Sequence, residues 1–285
     1  MAAGIGVAPL KVEPSRDGRK QKLREFNLRE VLAAYRLDRL GPITPVARRL
    51  LTDPANRFAD DILAFDDAMG RGGVPEGAQF VLDRYASSVT VEGHVPVPPT
   101  GPLLVVANHP GMADAMALWH ALGRADLLTL AARRELLDQL PNTLKHLIVI
   151  RDEPGAALRT VIRSLQAGRA VLTFPYGHIE PDPAIWPDAE GSLERWSMNL
   201  LGPARRVEGL RVLPCAVRGV LNPHAVRHPL LRGFRKREDR DWAGATLQVL
   251  VPAYRRVAIR VRFGRLIDIR AALQELIPEM RRLLS

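Results

Sequence analysis

An α/β fold is expected, with a mainly parallel central sheet flanked by helices and a helical segment ahead of it. Three observations predict it. Short apolar runs alternate with amphipathic stretches from residue 88 onward. The links between them are short, as in strand–helix–strand units. The first 87 residues, in contrast, show helical spacing and no strand-like run.

The elements follow in order. Residues 1–20 mix Gly, Pro and Ser without a period and read as a disordered tail. From Lys20 to Leu40, the residues Leu23, Phe26, Val31, Leu32 and Tyr35 recur at roughly helical spacing, and Pro42 ends the run. A second helix is expected near Pro45. A third is expected after Asp53-Pro54, with aspartate as N-cap and proline at the first helical position. A fourth spans about Pro75 to Tyr85. These make a helical segment over 21–87, followed by an α/β domain over 88–285. Val89 to Val95 alternates like an edge strand. Strands at 102–107, 127–132, 146–150 and 169–174 then take turns with helices at 111–122, 134–140 and 155–166. A long Pro-rich loop runs from Pro175 to Gly191. A helix near 192–201, a strand near 210–219, a helix near 239–250, a strand near 257–263 and a helix at 269–284 complete the chain.

Composition narrows the class. The chain has 285 residues, 47% hydrophobic and 25% charged, which suits a globular protein with a sizeable core. No apolar run reaches the roughly 20 residues that cross a bilayer. The first residues lack the apolar stretch of a signal peptide. The single cysteine, Cys215, cannot form an intramolecular disulfide, and a cytoplasmic protein is expected. A formal charge of +10 attracts polyanions such as anionic lipid or phosphorylated substrates. With only 5% aromatic residues and no basic run interleaved with aromatics, nucleic acid is not an expected partner.

Three sites carry chemistry. In the first, the apolar run Leu103–Ala107 ends in Asn108-His109-Pro110-Gly111, and Asp114 follows five positions after the histidine. A histidine ending a strand and an aspartate opening the next helix bring an imidazole to a carboxylate. The carboxylate takes one ring N–H, and the other ring nitrogen is left to accept a proton. A capped turn without chemistry would have the same spacing. In the second, Phe174-Pro175-Tyr176-Gly177-His178-Ile179-Glu180-Pro181-Asp182 follows the strand Ala170–Leu172. Loops after parallel strands gather on one sheet edge, so the two sites share a cleft. In the third, Arg151 follows the run Leu147–Ile150 and reaches the same edge, to bind a phosphate or carboxylate or to pair with Asp152.

In this order the sites resemble the glycerolipid acyltransferase superfamily, whose type member is 1-acylglycerol-3-phosphate acyltransferase. Asn108, His109 and Asp114 match its Asn-His-x4-Asp motif. Val149, Ile150 and Arg151 match the second motif. Phe174, Pro175 and Gly177 match the third, Phe-Pro-Glu-Gly-Thr-Arg-Ser, and Val212–Ala216 with its central Pro214 matches the fourth. The resemblance covers about 88–265. It departs at Tyr176, His178 and Ile179, which stand for the family's Glu, Thr and Arg. Ile179 therefore offers no cation where the family's arginine stands.

The resemblance implies transfer of a fatty acyl group from an acyl thioester, on coenzyme A or acyl carrier protein, to a hydroxyl of a lysophospholipid, glycerol phosphate or other polar lipid. It implies no cofactor beyond that co-substrate. His109 is the expected general base and Asp114 its orienter. Asn108, Gly111, Arg151, Phe174, Pro175, Tyr176, Gly177, His178 and Glu180 are expected to bind substrate. Backbone amides near Gly111 or Gly177 are the expected oxyanion donors. No Gly-x-Ser-x-Gly elbow occurs, in keeping with direct transfer. An anionic membrane surface is an expected partner, with the protein peripheral on the inner face of the cell membrane. Basic residues of the 20–40 helix would then face lipid, or form a solvated face of a packed helix. The competing readings are a metal-dependent hydrolase with His109, Asp114, His178, Glu180 and Asp182 as ligands, and a non-catalytic basic lipid-binding module. The oligomeric state is left open.

Overall fold

The structure is a computed structural model that describes residues 15–39, 41, 44–93, 96–111, 113–150 and 153–285. Its first element, α1 (Arg16–Ala34), begins inside the stretch expected to be a tail. Ser15 caps it, with the side-chain hydroxyl accepting from Gly18 N at 3.2 Å. The rest of the expected tail, residues 1–14, lies outside the described residues, as does Pro42.

The next element, α2 (Thr44–Tyr85), replaces three expected helices. Asp53-Pro54 does not start a helix; Pro54 lies inside one. It removes the bond to the carbonyl four residues back, at a cost of roughly 3 kcal/mol. That position is Leu50, which is 74% exposed, so water can serve the freed carbonyl. Burial of Ala55, Ala59 and Leu63 carries the helix through, with Ala59 and Leu63 packed against Leu23 of α1. The real break comes at Gly73, whose φ of 65° and ψ of −150° no ordinary side chain adopts readily. Pro75 follows, and the last limb runs to Tyr85 much as its sequence suggests.

From here strands and helices alternate: β1 (Ala86–Glu92), β2 (Leu103–Ala107), α3 (Asp114–Leu122), β3 (Leu128–Ala132), α4 (Pro141–Leu144), β4 (Leu147–Ile150), α5 (Pro154–Gln166) and β5 (Ala170–Thr173). The remainder is α6 (Leu201–Ala204), β6 (Arg211–Arg218), α7 (Pro223–Val226), α8 (Arg237–Leu250), α9 (Pro252–Arg255), β7 (Val257–Phe263), β8 (Ile267–Asp268) and α10 (Ala272–Leu284). The helices expected at 134–140 and 192–201 are mainly short 3-10 turns, Glu135–Gln139 and Ala189–Arg195. His94 and Val95, the expected end of the first strand, lie outside the described residues.

The strands form one eight-stranded sheet in the order β1-β7-β6-β2-β5-β3-β4, with β8 beside β6. β6, β2, β5, β3 and β4 are parallel. β7 runs antiparallel to β6, and β1 is parallel to β7. The mainly parallel sheet is therefore as expected, with a reversed margin at one side.

Alternation along β2 explains the layers. Leu103, Val105 and Ala107 face one core with Leu82 of α2 and Leu118 of α3. Leu104 and Val106 face the other core with Val161 and Leu165 of α5 and Leu276 and Met280 of α10. A strand covered on both faces reads as a continuous apolar run, and every residue of β2 is buried. β2 thus lies mid-sheet, between β5 and β6. The loops after these three strands are neighbours on one edge.

α1 packs against α2 and spends its basic residues on nearby acids. Arg16 pairs with Asp67, Lys20 with Asp60, Arg29 with Glu135 and Arg36 with Asp239. Arg19 reaches the fully buried Asp66, which also accepts from Thr143 N and Oγ1 at 2.8 and 2.9 Å. The helix is a packed element, and Arg16, Arg19, Lys20 and Arg29 on it, with Arg36 just beyond it, are engaged within the protein.

Candidate active site

The apolar strand β2 ends at Ala107, and Asn108 anchors the turn that follows. Its side chain pairs in both directions with Val217 of β6: Nδ2 donates to the carbonyl at 2.8 Å, and Oδ1 accepts from N–H at 2.7 Å. It is 1% exposed, and Asn108 holds the turn to the sheet.

His109 comes next, with 27% of its side chain exposed. Its Nδ1 lies 2.7 Å from Asp114 Oδ2. A carboxylate only accepts, so Nδ1 carries the proton and Nε2 is the basic atom. No hydrogen bond reaches Nε2 among the described residues. Asp114, at the start of α3, is fully buried, and Gly111 N and Ala115 N also donate to it at 2.9 and 2.5 Å. Its orientation is thereby set, and with it the plane of the imidazole. Phe174 stacks on the His109 ring with centroids 4.4 Å apart.

The loop after β5 divides in two. Tyr176 is half-buried, and Gly177, His178 and Ile179 are exposed at the rim. The Tyr176 hydroxyl meets Arg195 at 2.6 Å. Glu180 turns inward and is 1% exposed. One of its oxygens accepts from His109 N at 2.8 Å; the other accepts from Ser192 Oγ at 2.7 Å and Trp196 Nε1 at 2.8 Å. Its own N–H donates to His109 O at 2.7 Å. Glu180, expected from sequence to bind substrate, thus has its carboxylate buried and engaged by His109, Ser192 and Trp196. Asp182 is fully buried and accepts from the N–H groups of Ala184, Gly219, Val220 and Leu221.

Two expected oxyanion donors are also committed elsewhere. Gly111 N donates to Asp114, and Gly177 N to Phe174 O at 3.1 Å. Gly111 is buried in the turn, where an added Cβ would lie 3.1 Å from Val220, so it shapes the turn without meeting substrate. The carboxylates named for a metal are occupied by N–H and O–H donors. Among the described residues no group of three or more His, Cys, Asp and Glu is placed to hold a metal.

The charges act on His109 in opposite directions. Burial is the largest influence and opposes the imidazolium. Asp114, through charge and hydrogen bond, and Glu180, through charge, together outweigh it, so the His109 pKa is raised. Arg134, in the turn after β3, pulls the other way. Sequence reading missed Arg134; β3 lies two strands from β2, a proximity that only the strand order reveals. Burial raises the Glu180 pKa despite its three donors. Arg151 lies outside the described residues.

Residues 88–218 match the family model described as Acyltransferase. The chain is similar to that family over this stretch. It contains His109, Asp114 and the loop from Phe174 to Asp182. No curated protein matches the chain. Among solved structures, the chain is similar to the 1-acyl-sn-glycerophosphate (LPA) acyltransferase, PlsC, from Thermotoga maritima. The identity is 18% over 95% of this chain and 93% of that one, with a TM-score of 0.44. The matched segment also contains the inward Glu180 and the rim residues Tyr176, His178 and Ile179.

Proposed function

We propose that the protein is an O-acyltransferase that moves a fatty acyl group from an acyl thioester to the hydroxyl of a lipid or other polar acceptor. The observation that carries this reading is the His109–Asp114 pair, with Nδ1 held at 2.7 Å and Nε2 without a hydrogen bond among the described residues. Nε2 takes the acceptor's hydroxyl proton as its oxygen attacks the thioester carbonyl. The tetrahedral intermediate collapses, the C–S bond breaks, and the thiol leaves carrying the proton from the imidazolium. A thiolate is a good leaving group, with a pKa of about 8.5, so no stronger acid is needed. Asp114 keeps the tautomer and stabilises the imidazolium formed on the way.

The acceptor's head group would meet the rim of the loop. Arg134 near His109, and Arg195 on the Tyr176 hydroxyl, offer cations that Ile179 does not. Both favour an anionic or strongly polar acceptor. Behind the loop, Leu104, Val106, Pro175, Met198 and Leu201 line an apolar void of about 20 Å³. That is room for about one water, so an acyl chain would lie along the surface cleft or open the loop. No described helix is long and apolar enough to cross a membrane. We place the enzyme as a peripheral protein on the inner face of the membrane, drawn there by its net positive charge.

Purified protein with an acyl thioester and lysophospholipid or polyol acceptors should release thiol and form an ester. His109→Ala should abolish both. Full activity in that variant would sink the proposal, and release of free acid in place of ester would point to a hydrolase.

A further inference from the structure

The loop that departs from the family motif sends one carboxylate inward, to the main chain of the base. We infer that Glu180 is a positioning residue for His109, clamping its backbone so that the ring is presented from a fixed point. The inference deepens the acyltransferase reading and rests on it for its kinetic arm only.

Three observations support it. Glu180 and His109 hold each other in both directions, carboxylate to His109 N at 2.8 Å and Glu180 N to His109 O at 2.7 Å. The second carboxylate oxygen is anchored at 2.7 and 2.8 Å to Ser192 and Trp196, from the 3-10 turn at 189–195 and just beyond it. The group is 1% exposed, and a buried charge of this kind is costly unless every lone pair is used. Here it is used to join three segments: the turn after β2, the loop after β5 and the turn at 189–195. Asp114 fixes the ring through Nδ1, and Glu180 fixes the backbone that bears it. Neither restraint substitutes for the other, because rotation about the side-chain bonds would persist with the backbone alone held. Among the described residues, the charged groups acting on His109 are Asp114 from α3, Glu180 from the loop after β5 and Arg134 from the turn after β3.

The test combines NMR titration of the His109 ring in histidine-labelled protein with acyl-transfer kinetics. In Glu180→Gln, one oxygen still accepts from His109 N, but the charge is lost and the amide nitrogen faces Trp196 Nε1. The His109 titration should move to lower pH. The kcat should fall about 10- to 100-fold, with KM for the acceptor within about twofold. An unmoved titration overturns the inference. So does a raised KM at unchanged kcat, which would make Glu180 a substrate contact. Should Glu180→Gln fail to fold, Ser192→Ala and Trp196→Phe loosen the carboxylate while keeping its charge. Each should lower kcat several-fold with KM unchanged, and wild-type kcat in both overturns the inference. If the wild type consumes no thioester, the acyltransferase reading fails, while the titration still decides what Glu180 does to His109.

Discussion

Asp114 and Asp182 are both fully buried, and both follow a strand of the same sheet edge by a few residues. Both accept backbone N–H groups. Asp182 gives all its capacity to main chain, four N–H groups in two segments. Asp114 takes two and keeps one short bond for the imidazole of His109. The same residue type in the same kind of place serves main chain alone in one case and, in the proposed mechanism, orients the base in the other. What separates them is whether a donor can change its protonation during a reaction.

The comparison sharpens most at His109 itself. Replacing it with alanine should cut kcat by about 10²- to 10⁴-fold, the usual worth of a positioned base, while thermal unfolding shifts little. Normal turnover in the variant would make Asp114 as structural as Asp182.

Asp114→Asn comes next. It removes the charge that raises the His109 pKa, and asparagine can leave the ring in the wrong tautomer. Activity should fall by about 10² or more. The sign of the pH effect is fixed: the base works when neutral, so the wild-type rate is lost as pH falls through the raised His109 pKa. In the variant, the residual rate should persist to lower pH. A pH–rate profile with an unmoved acid limb would contradict it.

Asp182→Ala should reverse the balance. It strands four N–H groups, those of Val220 and Leu221 buried, and should cost about 2–4 kcal/mol of stability in denaturant unfolding. The His109 titration should stay where it is in the folded protein. A shifted titration would show that the two carboxylates are not independent.

The smallest effect is expected at a third carboxylate, Asp241, which accepts from Trp186 Nε1 at 3.1 and 3.2 Å. Burial pushes its pKa up to about 6, against the pull of that bond. Its folded pKa is above its unfolded one, so it favours folding while neutral, and that contribution is lost as pH rises from about 4 through 6. Asp241→Asn should therefore raise the melting temperature slightly at pH 7 to 8 and make little difference at pH 4. Equal effects at both would refute the account.

These contrasts bear on what sequence can disclose. The β2 run with Asn108-His109 and Asp114 was legible because the chemistry is local: the seven residues from Asn108 to Asp114 run from strand end through the turn to helix start. The parallel core was legible for the same reason, since strands buried on both faces show as apolar runs. Pro54 misled because Asp-Pro is a local start signal, and the burial of Ala59 and Leu63 against Leu23 overrode it. Glu180 was read as facing substrate because its anchors, Ser192 and Trp196, lie 12 and 16 residues away. Asn108 was read likewise, since its partner is Val217, 109 residues on. Nothing near Arg134 in sequence marks it as a neighbour of His109.

Gly219 ends the strand that closes this edge, and three demands converge on it. Its φ is 76°. A Cβ there would sit 2.4 Å from the carbonyl oxygen of Ala258 in β7. Its N–H is one of those that Asp182 holds. Any other amino acid would have to push β7 away or twist the backbone, and either move withdraws the amide from the aspartate. Position 219 should therefore be among the least permissive in a saturation library. Variants lost there would be lost for reasons of space, and would say nothing about acyl transfer.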